Sequence, residues 1–81
     1  MKIDPSHITF THHARKRMER RRIVPEMVVQ TLTNPSITLP QFEDGTQEFR
    51  RKIGERMHFV VVSYRVEGIA KVITTGWSRE A

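Results

Sequence analysis

The feature that most constrains the fold of this 81-residue chain is a change of sequence period at Asn34-Pro35. Before this dipeptide, apolar residues recur three and four positions apart, which is the spacing of one side of an α-helix. After it, apolar and polar residues alternate between turns that contain glycine, as they do in β-strands. Helices followed by strands predict an α+β domain in which both helices pack on one face of a sheet.

Two helices are predicted before the change of period. Thr11 is a suitable N-cap for a first helix from His12 to about Arg21. Its apolar stripe consists of only Ala14 and Met18, so most of its circumference is basic and faces solvent. A second helix is expected to begin at Pro25, because proline fits the first helical position, and to end at the Asn-Pro dipeptide.

The remainder predicts an antiparallel meander, because its turns lie about one strand length apart. The candidate strands are residues 37–39, 46–53, 57–65 and 69–75, with turns at Asp44-Gly45, Gly54-Glu55 and Glu67-Gly68. Residues 59–62 are apolar on both faces of their strand, so this strand is expected at the centre of the sheet. Ahead of the first helix, Ile8 and Phe10 fit either a short extended edge or a hydrophobic anchor.

The charge distribution favours a polyanionic partner. The formal net charge is +5, from 14 Lys and Arg against 9 Asp and Glu, and the positive charge is concentrated in residues 15–22 and 50–56. Arginine dominates both segments, and its guanidinium group suits bidentate phosphate contacts. We therefore predict RNA-binding side chains at Arg20, Arg21, Arg51 and Lys52. The alternatives are a solvated surface or a surface that binds a protein.

Composition also predicts a single domain, residues 1–81, in the cytoplasm. Cysteine is absent, which favours a reducing compartment, and the first residues contain no apolar stretch that could serve as a signal peptide. The longest strongly apolar run is far shorter than the roughly 20 residues of a membrane-spanning helix, so no membrane association is expected.

The four histidines do not predict a metal site. His12 and His13 are adjacent, and on a helix they point about 100° apart, so they cannot chelate one ion together. No Cys is available, and no Asp or Glu lies one helical turn from either histidine. We therefore expect neither a metal nor another cofactor.

A different chemistry is suggested by His13 and Arg17, which lie four positions apart and so share one stripe of the helix. Metal-free RNA cleavage needs an acid, a base and cations that stabilise the charged phosphorane-like transition state. Histidine can donate or accept the proton near neutral pH, and arginine supplies the positive charge. The alternative is that His13 hydrogen-bonds a backbone group at the start of the helix and that Arg17 is solvated.

Two neighbouring pairs on the strands leave their orientation open. Arg50 and Arg51 must face opposite sides of the sheet, but the sequence does not say which of them faces the site. The same holds for Thr74 and Thr75. Trp77 fits either stacking on a base or packing against the edge of the core.

The stretch from Thr11 to Ile23 resembles the opening of DUF4258-type proteins. Their pattern is His-Ala, two residues, Arg-Met, two residues, Arg, usually Gly, then Ile. Six positions match it, namely His13, Ala14, Arg17, Met18, Arg21 and Ile23, whereas Arg22 replaces the glycine. That replacement removes a favourable helix stop, which allows the first helix to run on by a residue or two. The resemblance covers about residues 8–77.

The family is similar to the broad group of RelE-like and barnase-like folds, which includes many metal-independent ribonuclease toxins. The resemblance implies an α+β fold with two N-terminal helices packed on a small, curved antiparallel sheet of about four strands. It also implies that His13, Arg17, Arg50 and Thr74 carry the function.

These observations predict a ribonuclease, the toxin partner of a bacterial toxin–antitoxin pair. His13 is expected to act as general acid or base, Arg17 and Arg50 to stabilise the phosphate, and Thr74 to position it. Two alternatives remain. One is a non-catalytic nucleic-acid-binding module, and the other is an interaction domain that docks a small acidic protein such as an antitoxin. The sequence does not predict the oligomeric state.

Overall fold

The computed structural model describes residues 3–78 of the chain. These residues form two helices and five strands, preceded by one 3-10 turn at Pro5–His7. In chain order the elements are β1 (Ile8–Phe10), α1 (His12–Arg21), α2 (Pro25–Thr33), β2 (Ile37–Thr38), β3 (Thr46–Ile53), β4 (Arg56–Ser63) and β5 (Ala70–Ser78). The α+β class is therefore confirmed.

Both helices begin where the sequence predicts. The Thr11 hydroxyl accepts a hydrogen bond from the backbone N–H of Ala14 at 3.0 Å, which satisfies one of the free donors in the first turn of α1. Pro25 occupies the first turn of α2, where its missing N–H costs nothing. The helix ends at Thr33, so the predicted stop at the following Asn-Pro dipeptide is also confirmed.

Helix α1 ends at Arg21, and the expectation that Arg22 would extend it is wrong. Arg22 adopts the left-handed conformation, with φ 56° and ψ 45°, which is the conformation that glycine usually supplies at a helix end. The N–H of Ile23 then donates to the carbonyl of Met18 at 2.9 Å. Ile23 is buried, and this turn directs its side chain into the core.

The sheet differs from the predicted four-stranded antiparallel one. It has five strands in the order β1-β5-β4-β3-β2, and β1 pairs parallel to β5 while all other pairs are antiparallel. A strand therefore precedes both helices, so the helices are not the N-terminal elements. Ile8 and Phe10 were expected to form either a short extended edge or a hydrophobic anchor, and the structure shows the extended edge. Strand β4 is central, as its two apolar faces indicated.

Both helices pack on the same face of the sheet. The core joins Ala14 and Met18 of α1 and Val28 and Leu32 of α2 to alternate strand residues, namely Phe49, Val60, Val62, Ala70 and Val72. We call this side the helix face. The other side of the sheet is called the open face. It carries the strand residues that alternate with those of the helix face, including Arg50, Phe59, Thr74 and Gly76.

A fully buried histidine connects α2 to the sheet. His58 of β4 is bound through Nδ1 to the Thr31 hydroxyl at 2.7 Å and through Nε2 to the Thr75 hydroxyl at 2.9 Å. Thr75 donates its only hydroxyl hydrogen to the carbonyl of Phe59 at 2.8 Å. This network assigns the imidazole proton to Nε2, and Nδ1 accepts from Thr31. Every polar atom of the neutral ring is thus satisfied.

Burial makes this histidine sensitive to acid. It lowers the pKa of His58 from 6.5 to about 4, because the charged form loses its hydration. The unfolded chain therefore binds a proton at a higher pH than the folded chain does, and stability falls as the pH drops below about 6.5. By pH 4 the loss attributable to this residue is on the order of 3 kcal/mol.

We expect the free energy of unfolding, measured by urea denaturation, to fall between pH 7 and pH 4 in the wild-type protein. His58→Gln is expected to be less stable at pH 7 but to lose most of that pH dependence. His13→Ala removes an exposed histidine and serves as the matched control, which should keep the wild-type slope. A wild-type protein that is equally stable at pH 4.5 and pH 7 would contradict this assignment.

The left-handed Arg22 predicts a stabilising substitution. Arg22→Gly should raise the free energy of unfolding by about 0.5–1 kcal/mol, because glycine adopts a positive φ without a clash between Cβ and the backbone. Thermal or urea denaturation measures the change. Arg22→Ala removes the same charge but keeps Cβ, so an equal gain in that variant would attribute the effect to charge instead.

Candidate nucleic-acid interface

The two basic segments of the sequence meet at one end of the molecule. Arg21 closes α1, and its carbonyl accepts a hydrogen bond from Trp77 Nε1 at 3.4 Å. Arg56, at the β3–β4 hairpin, places its guanidinium 4.0 Å from the centre of the same indole ring. We call the cations of these two elements the basic end: Arg20, Arg21, Arg22, Arg50, Lys52 and Arg56.

Strand register decides which of the neighbouring strand residues share a face. Arg50 pairs with Phe59, and Thr74 pairs with Val61, so both lie on the open face. Arg51 pairs with the buried His58 and lies on the helix face. Thr75 lies on that same face and is fully buried. The structure thus brings Arg50 and Thr74 to one side, at positions separated by strand β4.

The predicted residues of α1 form one stripe beside β5. His13 is exposed, whereas Arg17, one turn further along, is half-buried. Arg21 continues the stripe, about 12 Å along the helix axis from His13. Within residues 3–78, none of His13, Arg17, Arg50 and Thr74 is hydrogen-bonded to another of the four. The structure therefore places two of these residues on α1 and two on the open face, and it does not bring the four together.

Arg50 has an acidic neighbour that sequence reasoning missed. Its Nε donates to Glu48 Oε2 at 2.7 Å, and the two side chains stand two positions apart on the same face of β3. Their exposed fractions are 37% and 20%, so the pair is screened by solvent and contributes little to stability. Strand alternation alone would have placed Glu48 beside Arg50, once both were assigned to one strand.

The close approach of Arg21 and Phe59 above Gly76 is a second feature that the sequence did not indicate. The last strand was predicted to stop at residue 75, but Gly76 lies within β5, directly opposite Phe59 of β4. A Cβ atom at this position would lie 3.1 Å from Arg21 Nη1 and 3.1 Å from two ring atoms of Phe59. The arginine therefore reaches around β5 to the open face, and its guanidinium lies within about 6 Å of the phenyl ring.

The opposite end of the open face contains a hollow of about 290 Å³ that reaches Thr11, the N-cap of α1. Its lining mixes both charges, since it includes Lys71 and Arg65 as well as Asp44. The hydroxyl and the N–H of Thr46 donate to Asp44 at 2.7 and 3.0 Å, and these bonds lower the pKa of that carboxyl. A carboxylate fixed in this way weakens anion binding at this end.

A groove of about 800 Å³ lies on the helix face, between the end of α2 and strands β2 and β3. Leu32 and Phe49 form part of its floor. Tyr64 donates its hydroxyl to Gln47 at 2.8 Å, and Gln47 donates in turn to the carbonyl of Leu39. Burial raises the pKa of Tyr64. These polar groups already bind one another, so they do not form a set of free groups aimed at a ligand.

Trp77 packs within the protein. Its ring lies 5.2 Å from the imidazole of His58, centre to centre, on the helix face and beneath Arg56. Of the two alternatives for Trp77, stacking on a base or packing against the edge of the core, the structure supports the packing. Phe59 is the aromatic side chain that the central strand presents on the open face.

Neither a metal cluster nor a membrane span occurs in the described part of the chain. In residues 3–78 no three His, Asp or Glu side chains come together as a potential metal site. The two helices of this region have ten and nine residues, and neither is long and apolar enough to cross a membrane.

Comparison with known proteins gives one result. The model of a family described as a domain of unknown function, DUF4258, matches residues 10–77. No curated protein and no solved structure matches the chain.

Proposed function

The chain belongs to the DUF4258 family, and we propose that it acts on RNA through the open face of its sheet. The observation that carries this proposal is that two basic segments about 30 positions apart in sequence both reach the open face at the basic end, Arg21 beside Gly76 and Arg50 opposite Phe59. Arg21 and Arg50 contribute guanidinium groups to the open face there. Clustered arginines bind phosphates and release the counterions that surround a nucleic acid.

The proposed reaction is metal-independent cleavage of the RNA backbone. The 2′-oxygen attacks phosphorus, the bond from phosphorus to the 5′-oxygen breaks, and the products carry a 2′,3′-cyclic phosphate and a 5′-hydroxyl. His13 serves as general acid or base, Arg17 stabilises the charge that develops on the scissile phosphate, and Thr74 positions that phosphate. Arg50 binds a neighbouring phosphate of the same strand. The exposure of His13 and the half-burial of Arg17 beside β5 support these roles, since both can meet a substrate.

A ribonuclease of this kind fits the RelE-like and barnase-like group that the sequence resembles. We therefore also propose a toxin role and a small acidic antitoxin as protein partner. The basic end would be the surface that such a partner covers, because an acidic chain competes with RNA for the same cations.

We expect purified protein to cleave an unstructured RNA in the presence of EDTA, and His13→Ala to lose at least 100-fold in rate, the usual contribution of a proton-transfer group. Product ends are identified by their resistance to phosphatase, which a cyclic phosphate confers. His12→Ala is the matched control, since its side chain points about 100° away on the same helix turn. Equal activity, or equal inactivity, of the wild type and His13→Ala would rule out the role of His13.

Non-catalytic binding is the second candidate, and two observations favour it. Arg50 is paired with Glu48, and it is separated from β5 by the whole width of β4. A substrate phosphate at Arg50 is therefore about two strand spacings, or roughly 10 Å, from one beside Thr74. Salt-sensitive binding without any strand scission in EDTA would identify this function.

The two strand arginines give a matched test of the binding face. Arg50→Gln should reduce the slope of log affinity against log salt by about 0.7, the value for one phosphate of a single strand. Arg51→Gln should leave the slope unchanged, because this side chain lies on the helix face. Fluorescence anisotropy of a labelled oligoribonucleotide measures both. A larger effect of Arg51→Gln would move the interface to the other side of the sheet.

A further inference from the structure

We propose that the ring of Phe59, beside Gly76 and Arg21, stacks on one unpaired base of a single-stranded RNA. This inference rests on the proposed function and specifies its substrate as single-stranded. The ring lies on the open face at the basic end, between cations from two different elements.

The phenyl ring of Phe59 provides a surface on which a base can stack. It is half-buried, and it stands on the face of the central strand that neither helix covers. Its strand neighbours on the same face, Met57 and Val61, are apolar. A flat ring on a sheet surface is a stacking platform for a base, because every base has a π-face to offer.

Residue 76, beside this ring, is a glycine and has no side chain. The backbone of Gly76 does not have a positive φ, so glycine is not required there by conformation. The space is what matters, since an added Cβ would approach both the ring of Phe59 and the guanidinium of Arg21 at 3.1 Å. Glycine therefore permits these two groups to lie side by side.

Two arginines flank the ring of Phe59. Arg21 lies on the β5 side of the ring, and Arg50 is the cross-strand partner of Phe59 on the β3 side. A nucleotide whose base stacks on the ring would thus have a cation available to the phosphate on each side. A duplex hides the faces of its bases within the stack, so only an unpaired base can stack on this ring.

Binding of a labelled 2′-O-methyl RNA octamer tests the inference, because such a probe has no free 2′-hydroxyl and cannot be cleaved by the proposed reaction. A second octamer with the same phosphates but abasic sugars is the matched ligand. We expect Phe59→Leu to weaken binding of the first octamer by about tenfold or more, and to leave binding of the abasic octamer unchanged. The salt slope should stay the same, since no phosphate contact is lost.

Three further variants make the result specific. Phe59→Trp keeps an aromatic ring and should retain affinity. Gly76→Ala keeps the phenyl ring but adds a Cβ that must displace this ring and the Arg21 guanidinium, so it should weaken binding. Arg21→Gln should reduce the salt slope by about 0.7, unlike Phe59→Leu. Thermal melts establish that each variant is folded at the assay temperature.

The outcomes separate the two proposals. A wild-type protein that binds neither octamer would overturn the RNA function and this inference together. Binding of both octamers with equal affinity, unaffected by Phe59→Leu and Gly76→Ala, would overturn the base site alone and leave phosphate binding intact.

Discussion

Both helices bury their narrow apolar stripes against the same face of the sheet, and this constraint determines what the rest of the molecule can do. Helix α1 offers little more than Ala14 and Met18 to the core, so it must lie close to β5. Helix α2 is fixed by packing and by the hydrogen bonds of His58, which join it to the two strands in the middle of the sheet. With all helical cover on one side, the opposite face of the strands remains available for a partner.

The placement of α1 also determines which charges reach that face. Because the helix runs beside the part of β5 that β1 does not pair with, its last turn ends level with Trp77. Arg21 can then extend around the strand to Gly76, while Arg50 approaches from the other side of the sheet. Two cations 29 positions apart in sequence thus share one surface.

The sequence predicted the helices and the meander well, because their signals are local. Thr11, Pro25 and the Asn-Pro dipeptide act through their immediate neighbours, and strand alternation in β3 and β4 is regular. The parallel pairing of β1 with β5 could not be predicted, since a three-residue strand has no periodicity and its partner lies some 60 positions away.

The candidate site was predicted in part, for related reasons. Alternation established that Arg50 and Arg51 face opposite sides, but only the pairing with β4 decides that Arg51 stands opposite His58. Gly76 resembled a strand end because glycine usually weakens a strand, whereas here its small size serves two neighbouring side chains. His58 was not assigned to the core, because its burial depends on hydroxyl partners from two other elements.

The parallel pairing of β1 with β5 has a consequence for how the chain reaches this structure. Ile8 pairs with Ala70, and Phe10 pairs with Val72, so β1 has no partner until residues some 60 positions later in the chain have been synthesised. Helix α1 faces the same delay, since the strand that it packs against is also β5. Neither β1 nor α1 can complete its packing before β5 is in place, so the closure of the sheet at this edge is a long-range event in folding.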